Sequence, residues 1–455
     1  MPHLPPQPTA NAGLAALRAM LGRPGLPPHI DMFGALAAFH AHAGDVFQMG
    51  APRLNMTVLC GPEAGRFIYV TERERLQWRC EGDAITRLLR QGLLVIDGEE
   101  HDRLRQLMEP PLRQRGLPAY LPAMLRYTDA VADGWRQGER RDMLAEMRRI
   151  AVLIVMDTLF SVDLTAEIDR LWPSILAAVH YISPGLWLFW PDMPRPRSRR
   201  PLAELDAWLY AFIRRRRQAQ PPGDRPTDLL DLLIAAGLDD DLIRDQMLTM
   251  LIAGHDTSTA LLSWALWLLG RHPEVQRQAQ AEIAQVVGDK PPTADHLRQL
   301  ALLDQIIKET LRLYPPAHAS QRRIVGGDLS FPSPAGEFDL PADRRLLFSI
   351  YLTQRHPQHW EAPHEFRPAR FGPDHKKPAS FSYVPFGGGP RTCLGAAYGS
   401  FEALAVLARL LQRFSFELPD PDIHLHMGAA IEPRPGVFVR VSRPSATHFA
   451  SASHL

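Results

Sequence analysis

The segment FGGGPRTCLG, residues 386–395, sets a cysteine behind three consecutive glycines and an arginine. Glycine runs cost backbone entropy and mark positions of positive φ or close backbone approach. A cysteine at a helix start meets the positive end of the helix dipole and free backbone N–H groups, which favour a thiolate. Arg391 adds a fixed positive charge close by. Read alone, Cys393 is either a small buried hydrophobe or a sulfur ligand. One thiolate without a second cysteine does not build a four-ligand zinc site. It suits a metal already held by four other atoms, a condition that a porphyrin iron meets. The glycines do not follow GxGxxG, and there is no GK[ST] phosphate loop.

Four other segments hold polar groups where burial is expected. AGHDTS, Ala253 to Ser258, places Asp256 and Thr257 in the middle of an apolar helical stretch. A threonine there can bond its i−4 carbonyl and bend the helix, or it can turn its hydroxyl to a small pocket while Asp256 helps to deliver protons. Gly254 costs up to about 1 kcal/mol in a helix interior, so a packing or functional reason is expected for it. In KETLRLYPP, Glu309 and Arg312 share one helical face at i, i+3 among apolar neighbours, which asks for pairing. PHEFRPARF (363–371) offers a second guanidinium, Arg370. HDRLR (101–105) sets His101 and Arg105 one turn apart.

The elements that must position these groups are mostly helical. Residues 239–270 carry no proline, open with acids and are stopped by Gly270 and Pro273; acids suit the helix N-terminus. At 1.5 Å per residue such a helix is about 45–50 Å long, and its all-round apolar centre implies burial through the core. Helical patterns also cover about 100–215, 274–287, 302–313 and 394–414. LNMTVLCGP (54–62), RFIYV (66–70) and the texture of 322–350 read as strands. SPGLWLFWPDMPRPRSRRP (183–201) is an aromatic patch, either a core seam between helices or a substrate entrance. The fold class expected is mainly α with small β-sheets. No boundary cuts the chain cleanly, so residues 30–443 are expected to form one domain, between a Pro-rich extension (1–29) and a tail (444–455).

The composition is that of a globular protein with a sizeable core: 455 residues, 45% hydrophobic and 22% charged. A net charge of +1 gives no reason to expect nucleic acid. The cysteines, Cys60, Cys80 and Cys393, are odd in number and widely spaced, which is no disulfide framework. The N-terminus has neither an apolar span of membrane length nor a signal peptide pattern. No integral membrane anchor and a cytoplasmic location are therefore expected.

Taken in order, HDRLR, AGHDTS, ETLR, FRPARF and FGGGPRTCLG resemble the signature series of the cytochrome P450 superfamily over roughly residues 30–440. The last fits the family's Phe-x-x-Gly-x-Arg-x-Cys-x-Gly pattern at Phe386, Gly389, Arg391, Cys393 and Gly395. The resemblance implies the P450 fold, with a long central helix crossing over a heme. It implies heme b (iron protoporphyrin IX) with Cys393 as its proximal thiolate ligand and Phe386 beside it. Glu309, Arg312 and Arg370 would form a buried structural cluster on the cysteine side. Asp256 and Thr257 match the family's acid–alcohol pair for proton delivery in O2-dependent monooxygenation. His101, Arg105 and Arg391, with Arg323 preferred to its neighbour Arg322, would hold the heme propionates. A hydrophobic small-molecule substrate would be lined by Ile85, Leu88, Leu93, Leu94, Met250, Ala253, Ala317, His318 and Ala319. The stretches ETLRLYPPAHASQRR and YLTQRHPQHWEAPHEFRPARF are similar in flavour to lipid- and terpenoid-oxidising bacterial members. No flavin or ferredoxin module is fused, so electrons would come from a separate ferredoxin- or flavodoxin-type donor with its reductase. Arg103, Arg113, Arg115 and Lys376–Lys377 would receive it, rather than the RRRR run at 214–217, which reads as a solvated helix end. A peroxide-driven or isomerising heme-thiolate enzyme and a non-catalytic heme sensor are the alternatives; the Asp256–Thr257 pair argues against both.

Overall fold

The computed structural model describes residues 3–7, 13, 15–16, 31–51, 54–188, 190–219, 226–420 and 422–444. The helices that matter for the site are α1 (Met32–Ala43), α2 (Gly98–Met108), α3 (Met143–Phe160), α4 (Ile168–Ile182), α5 (Pro196–Gln218), α6 (Asp240–Arg271), α7 (Ala301–Leu313) and α8 (Ala396–Arg413). The proline-free stretch forms α6 as one unbroken helix. Asp239 caps it, accepting from Leu242 N–H at 2.8 Å, and two acids fill its first turn. From Ile243 to Leu269 it is buried on nearly every side. Gly254 has a packing reason: a Cβ there would lie 2.7 Å from Val155 Cγ2, so the glycine lets α6 and α3 approach closely.

Twelve strands lie at the edge of this helical body among the described residues. The largest sheet has the order β1 (Val46–Ala51), β2 (Leu54–Leu59), β8 (Arg345–Ser349), β5 (Ala319–Ile324), β3 (Leu76–Gln77). Only β2 and β8 run parallel in it, with Thr57 opposite Leu346. β6 (Leu329–Ser333) and β7 (Gly336–Leu340) form a hairpin, as do β10 (His424–Met427) and β11 (Ile431–Arg434). β4 (Arg140–Asp142), β12 (Phe438–Ser442) and β9 (Ser415–Glu417) make the remaining sheet. The hydrophobic core is continuous from α2 through α3 and α6 to α8, and a second cluster sits under the large sheet.

Two expectations about elements need correction. RFIYV is not a strand: Pro62 starts a helix to Arg66, and Phe67–Thr71 continue as a wide helical turn. Phe67, Ile68 and Tyr69 are buried there, so packing overrides the β preference of the run. The last helix begins at Ala396 rather than Leu394, capped by Gly395. Of the expected N-terminal extension, the described part includes His3, which bridges to Phe338, while 17–30 lie outside the described residues. The expected tail lies outside them beyond Pro444. No described helix is long and apolar enough to cross a membrane.

Candidate active site

Cys393 sits three residues before α8, in a loop closed by its own backbone: its N–H donates to Phe386 C=O at 2.8 Å. Gly387 and Gly389 take φ of +71° and +62°, the left-handed region that glycine tolerates. A Cβ at Gly389 would lie 2.3 Å from Tyr69 O, so these glycines let the loop press on Tyr69 of the neighbouring helical turn. Gly395 and Gly399, by contrast, face open space, with nothing within 4 Å of an added Cβ. Cys393 is exposed, whereas Cys60 and Cys80 are buried. Protein surrounds it at longer range, and this burial pushes the thiol up, against the pull of the Gly395 N–H and the Arg105 charge.

Cations gather beside this loop. Arg391 donates to Ile96 O (2.7 Å) and Asp97 Oδ1 (2.6 Å). His101, buried on α2, donates from Nδ1 to Asp102 at 2.8 Å. Burial lowers its pKa, and Arg391 and Arg105 add to the fall against the Asp102 hydrogen bond. The alternation of β5 separates the two arginines of QRRIV. Arg322 is buried, over the Trp78 ring at 5.5 Å. Arg323 points to the other face, to Asp343 (3.4 Å) and Gln77 (3.2 Å). Period-two side-chain alternation leaves only one of these two adjacent strand residues, Arg322, on the buried face, while Arg323, the one preferred from the sequence, lies on the other. Burial pushes Arg322 down to about 10, and Arg391 repels it further. Its guanidinium donates to Ser320 Oγ (2.9 Å) and Gln321 O (2.7 Å). Among the described residues neither Arg322 nor Arg105 has a carboxylate at ion-pair distance. A buried Arg322 and a half-buried Arg105 without carboxylates suit an anionic ligand.

At mid-helix, α6 opens. Ala253 is exposed, and Gly254 and Thr257 are half-buried, in the middle of a helix buried on nearly every side. The Thr257 hydroxyl donates to Ala253 O at 2.7 Å. Asp256 is buried, and neither of its oxygens makes a hydrogen bond. Arg148 Nη2 on α3 lies 3.7 Å from Asp256 Oδ1 and pairs at shorter range with Glu432 of β11. Burial and the Glu432 charge push Asp256 up to about 7, against the pull of the Arg148 charge. His255 donates from Nδ1 to Leu251 O (2.6 Å), and burial takes it down to about 4. Ser258 donates to Glu402 Oε2 on α8 at 2.6 Å; burial pushes Glu402 up to about 8.

Glu309 and Arg312 on α7 are wholly buried and joined by two hydrogen bonds, 2.7 and 2.8 Å. Arg370 Nε donates to Glu309 Oε1 at 3.0 Å. Arg312 also donates to the carbonyls of Gln354, Pro363 and Glu365, at 3.0, 2.8 and 3.0 Å. The three residues tie α7 to the irregular segment that leads into the cysteine loop.

Comparison with known proteins agrees with this arrangement. The cytochrome P450 family profile matches residues 25–439. The chain belongs to the cytochrome P450 family. It is 32% identical to a putative cytochrome P450 139 of Mycobacterium tuberculosis, over 90% of this chain and 97% of the relative. It is 30% identical to pentalenene oxygenase of Streptomyces avermitilis, covering 85% and 88%. The solved structure of retinoic acid-bound cyanobacterial CYP120A1 superposes with a TM-score of 0.81 at 26% identity, covering 98% of this chain and all of that one. The chain is a cytochrome P450 monooxygenase with a heme cofactor. The residues present fit that group: an exposed thiol, glycines facing open space at the start of α8, and cations lacking carboxylates.

The residues expected to line the substrate space of this P450 fall into two sets. Ala253 and Ala317 are exposed, and Ile85, Leu94 and Ala319 are half-buried. Leu88, Leu93 and Met250 belong to the main core, and His318 lays its ring edge-on against Phe33 at 5.4 Å. In the aromatic patch, Trp187 and Tyr181 both face the Arg195 guanidinium, at 5.6 and 4.3 Å, while Trp190 is exposed; Phe189 lies outside the described residues. Sequence reasoning did not find Arg148, Glu432 or Glu402. Glu402 left a signal, a single acid amid the apolar run GSFEALAVL. Arg148 and Glu432 left none, being 284 positions apart.

Proposed function

We propose that this P450 inserts one atom of O2 into a hydrophobic organic substrate, with Cys393 as the thiolate ligand of heme b. The observation that carries the reading is Cys393 itself: the one exposed thiol of three, within the family's full pattern, beside unpaired cations. When bound, the heme supplies oxygen activation and, through its thiolate, the electron density that favours O–O cleavage, an example the thiolate-ligated P450s themselves provide. The Gly395 N–H and Arg105 hold charge on the sulfur. Arg322, Arg105, His101 and Arg391 would hold the propionates, and Phe386 would lie beside the heme. Asp256 carries a proton near neutral pH and passes it towards the Thr257 hydroxyl, whose lone pairs remain free while it donates to Ala253. Arg148 and Glu432 set how firmly Asp256 keeps that proton. The Glu309–Arg312–Arg370 cluster holds the cysteine loop from behind.

Ala253, Ala317, Ala319, Ile85 and Leu94 give the substrate an apolar surface. Pentalenene and retinoic acid, named for the relative and the solved neighbour, are both largely hydrocarbon, which supports a terpenoid, fatty acid or steroid substrate here. Electrons come from a separate ferredoxin- or flavodoxin-type donor, met by the exposed cations Arg103, Arg113, Arg115 and Lys376–Lys377 in the cytoplasm.

The carbon monoxide difference spectrum of the reduced protein tests the ligand. A red-shifted thiolate band is expected, lost in Cys393→Ala; its survival in that variant overturns the assignment. Thr257→Ala tests the relay, with oxygen consumption rising several-fold relative to product. Unchanged coupling removes Thr257 from proton delivery. A ligand screen scored by the heme spin-state shift, with terpenoids, fatty acids and steroids, identifies the substrate class.

A further inference from the structure

Far from the cysteine loop in sequence, a second group of metal-type donors converges where α1 meets the large sheet. Gly44 stops α1, and Asp45 directly precedes β1. Cys60 follows β2 and is held to Asp45 by a backbone hydrogen bond, Cys60 N to Asp45 O at 3.0 Å. His40, in the last turn of α1, reaches forward so that Nε2 lies 2.7 Å from Asp45 Oδ1. Cys60 Sγ is 3.9 Å from the same oxygen. The donor atoms of His40, Asp45 and Cys60 all lie within 4.8 Å of one another. They come from three elements whose positions are fixed by the helix stop and the β1–β2 pairing.

We propose that His40, Asp45 and Cys60 bind a single zinc-class divalent ion, with His356 orienting the Asp45 carboxylate. The donor set decides the class: one imidazole, one thiol and one carboxylate suit zinc, whereas magnesium and calcium take oxygen ligands. Zinc–ligand arms of about 2.0–2.3 Å set ligand separations of roughly 3.3–3.7 Å in a tetrahedron. The His40–Asp45 contact opens by about half an ångström to reach this, Cys60 closes on Asp45 by a few tenths, and the His40–Cys60 separation, within 4.8 Å, closes by up to about 1.3 Å. Access is adequate: the side chains of His40 and Asp45 are 18% and 29% exposed, while Cys60 forms the buried floor. Water takes the fourth position on the open side, as in zinc sites with three protein ligands. As the ion binds, the Cys60 proton leaves to solvent, and His40 gives up the Nε2 proton that faces Asp45 and carries one on Nδ1 instead, so that a neutral imidazole ligates through Nε2.

His356 is not the fourth ligand. Its Nδ1 accepts from Gln358 N–H at 3.3 Å, so Nε2 carries the proton and donates to Asp45 Oδ1 at 2.9 Å. A hydrogen bond of this kind onto a ligating carboxylate is the usual outer support of a metal site. The ordinary alternative is a hydrogen-bond hub, Asp45 accepting from two histidines. In that hub the Cys60 thiol keeps its proton and donates it to Asp45 O at 3.3 Å, whereas the ion would hold the sulfur directly, and a metal–sulfur bond is therefore what the experiment reads.

The heme-loaded protein, in which Cys393 is engaged, is equilibrated with Zn2+, desalted and assayed for zinc per heme. Zinc K-edge absorption then identifies the scatterers. One zinc per heme is expected, with one sulfur at about 2.3 Å. Cys60→Ser loses the sulfur shell and at least tenfold in affinity, and His40→Gln likewise loses tenfold. His356→Phe weakens binding about tenfold and keeps the sulfur shell. An unchanged heme spectrum in each variant shows that it has folded. Zinc bound through nitrogen and oxygen alone, equal retention by Cys60→Ser, or no retention at micromolar zinc each overturns the proposal.

Discussion

Two buried acids, Asp256 and Glu402, flank the open middle of α6, and both keep protons at pH values where free carboxyls have lost them. Burial is the first cause in each case. Asp256 adds the neighbouring Glu432 charge: both carboxylates face the Arg148 guanidinium, and Glu432 takes the shorter contact with it while also pairing with Arg434 at 2.8 Å. Glu402 makes a stability prediction with a definite sign. Its folded pKa, about 8, lies above the model-peptide value of 4.5. The unfolded chain releases this proton first, so the contribution to stability falls as pH rises from about 4.5 to 8. Glu402→Gln, which keeps the acceptor for Ser258, removes that loss. Denaturant unfolding should show the variant equal to the parent at pH 4.5 and more stable by on the order of 2–4 kcal/mol at pH 8. A difference independent of pH would mean that Glu402 is ionised in the folded protein.

The element scale is governed by how closely helices approach. Gly254 stands where α6 crosses α3, and Val155 occupies the space a Cβ would take. Valine in a helix has one strongly preferred rotamer and cannot swing aside. Gly254→Ala should therefore destabilise by about 1–2 kcal/mol, overpacking outweighing the gain in helix propensity of roughly 1 kcal/mol. Adding Val155→Ala should restore most of the loss, a coupling that a double-mutant cycle reads directly. Strand alternation works at the same scale on Arg322 and Arg323. It buries one and turns the other to Asp343, a choice that two adjacent arginines in a sequence leave undecided until the strand is paired.

Across the whole molecule, the Glu309–Arg312–Arg370 cluster joins α7 to the irregular segment that leads into the loop of Cys393. Glu309→Gln leaves two guanidiniums without their countercharge in an enclosed site. A loss of about 3–5 kcal/mol is expected, seen as a lower denaturation midpoint and a smaller heme-loaded fraction. Retention of the parental midpoint would show the cluster to be dispensable.

Much of this was legible beforehand because local chemistry carries it. The extent of α6, its acidic start, the Glu309–Arg312 face and the Cys393 pattern follow from residue types at short spacing, where helical periodicity and capping act. RFIYV failed as a strand because burial of Phe67, Ile68 and Tyr69 outweighed a weak local preference. The partners of Asp256 were invisible because Arg148 and Glu432 meet only when α3 and the β10–β11 hairpin pack on α6. The sequence by itself determined which residues form the cysteine loop and which helix crosses the core, since backbone propensity and pattern are local. Only the tertiary structure decided which arginine is buried, which acid keeps its proton and which donors gather at Asp45. Those depend on desolvation and long-range contact, which exist only once the chain is folded.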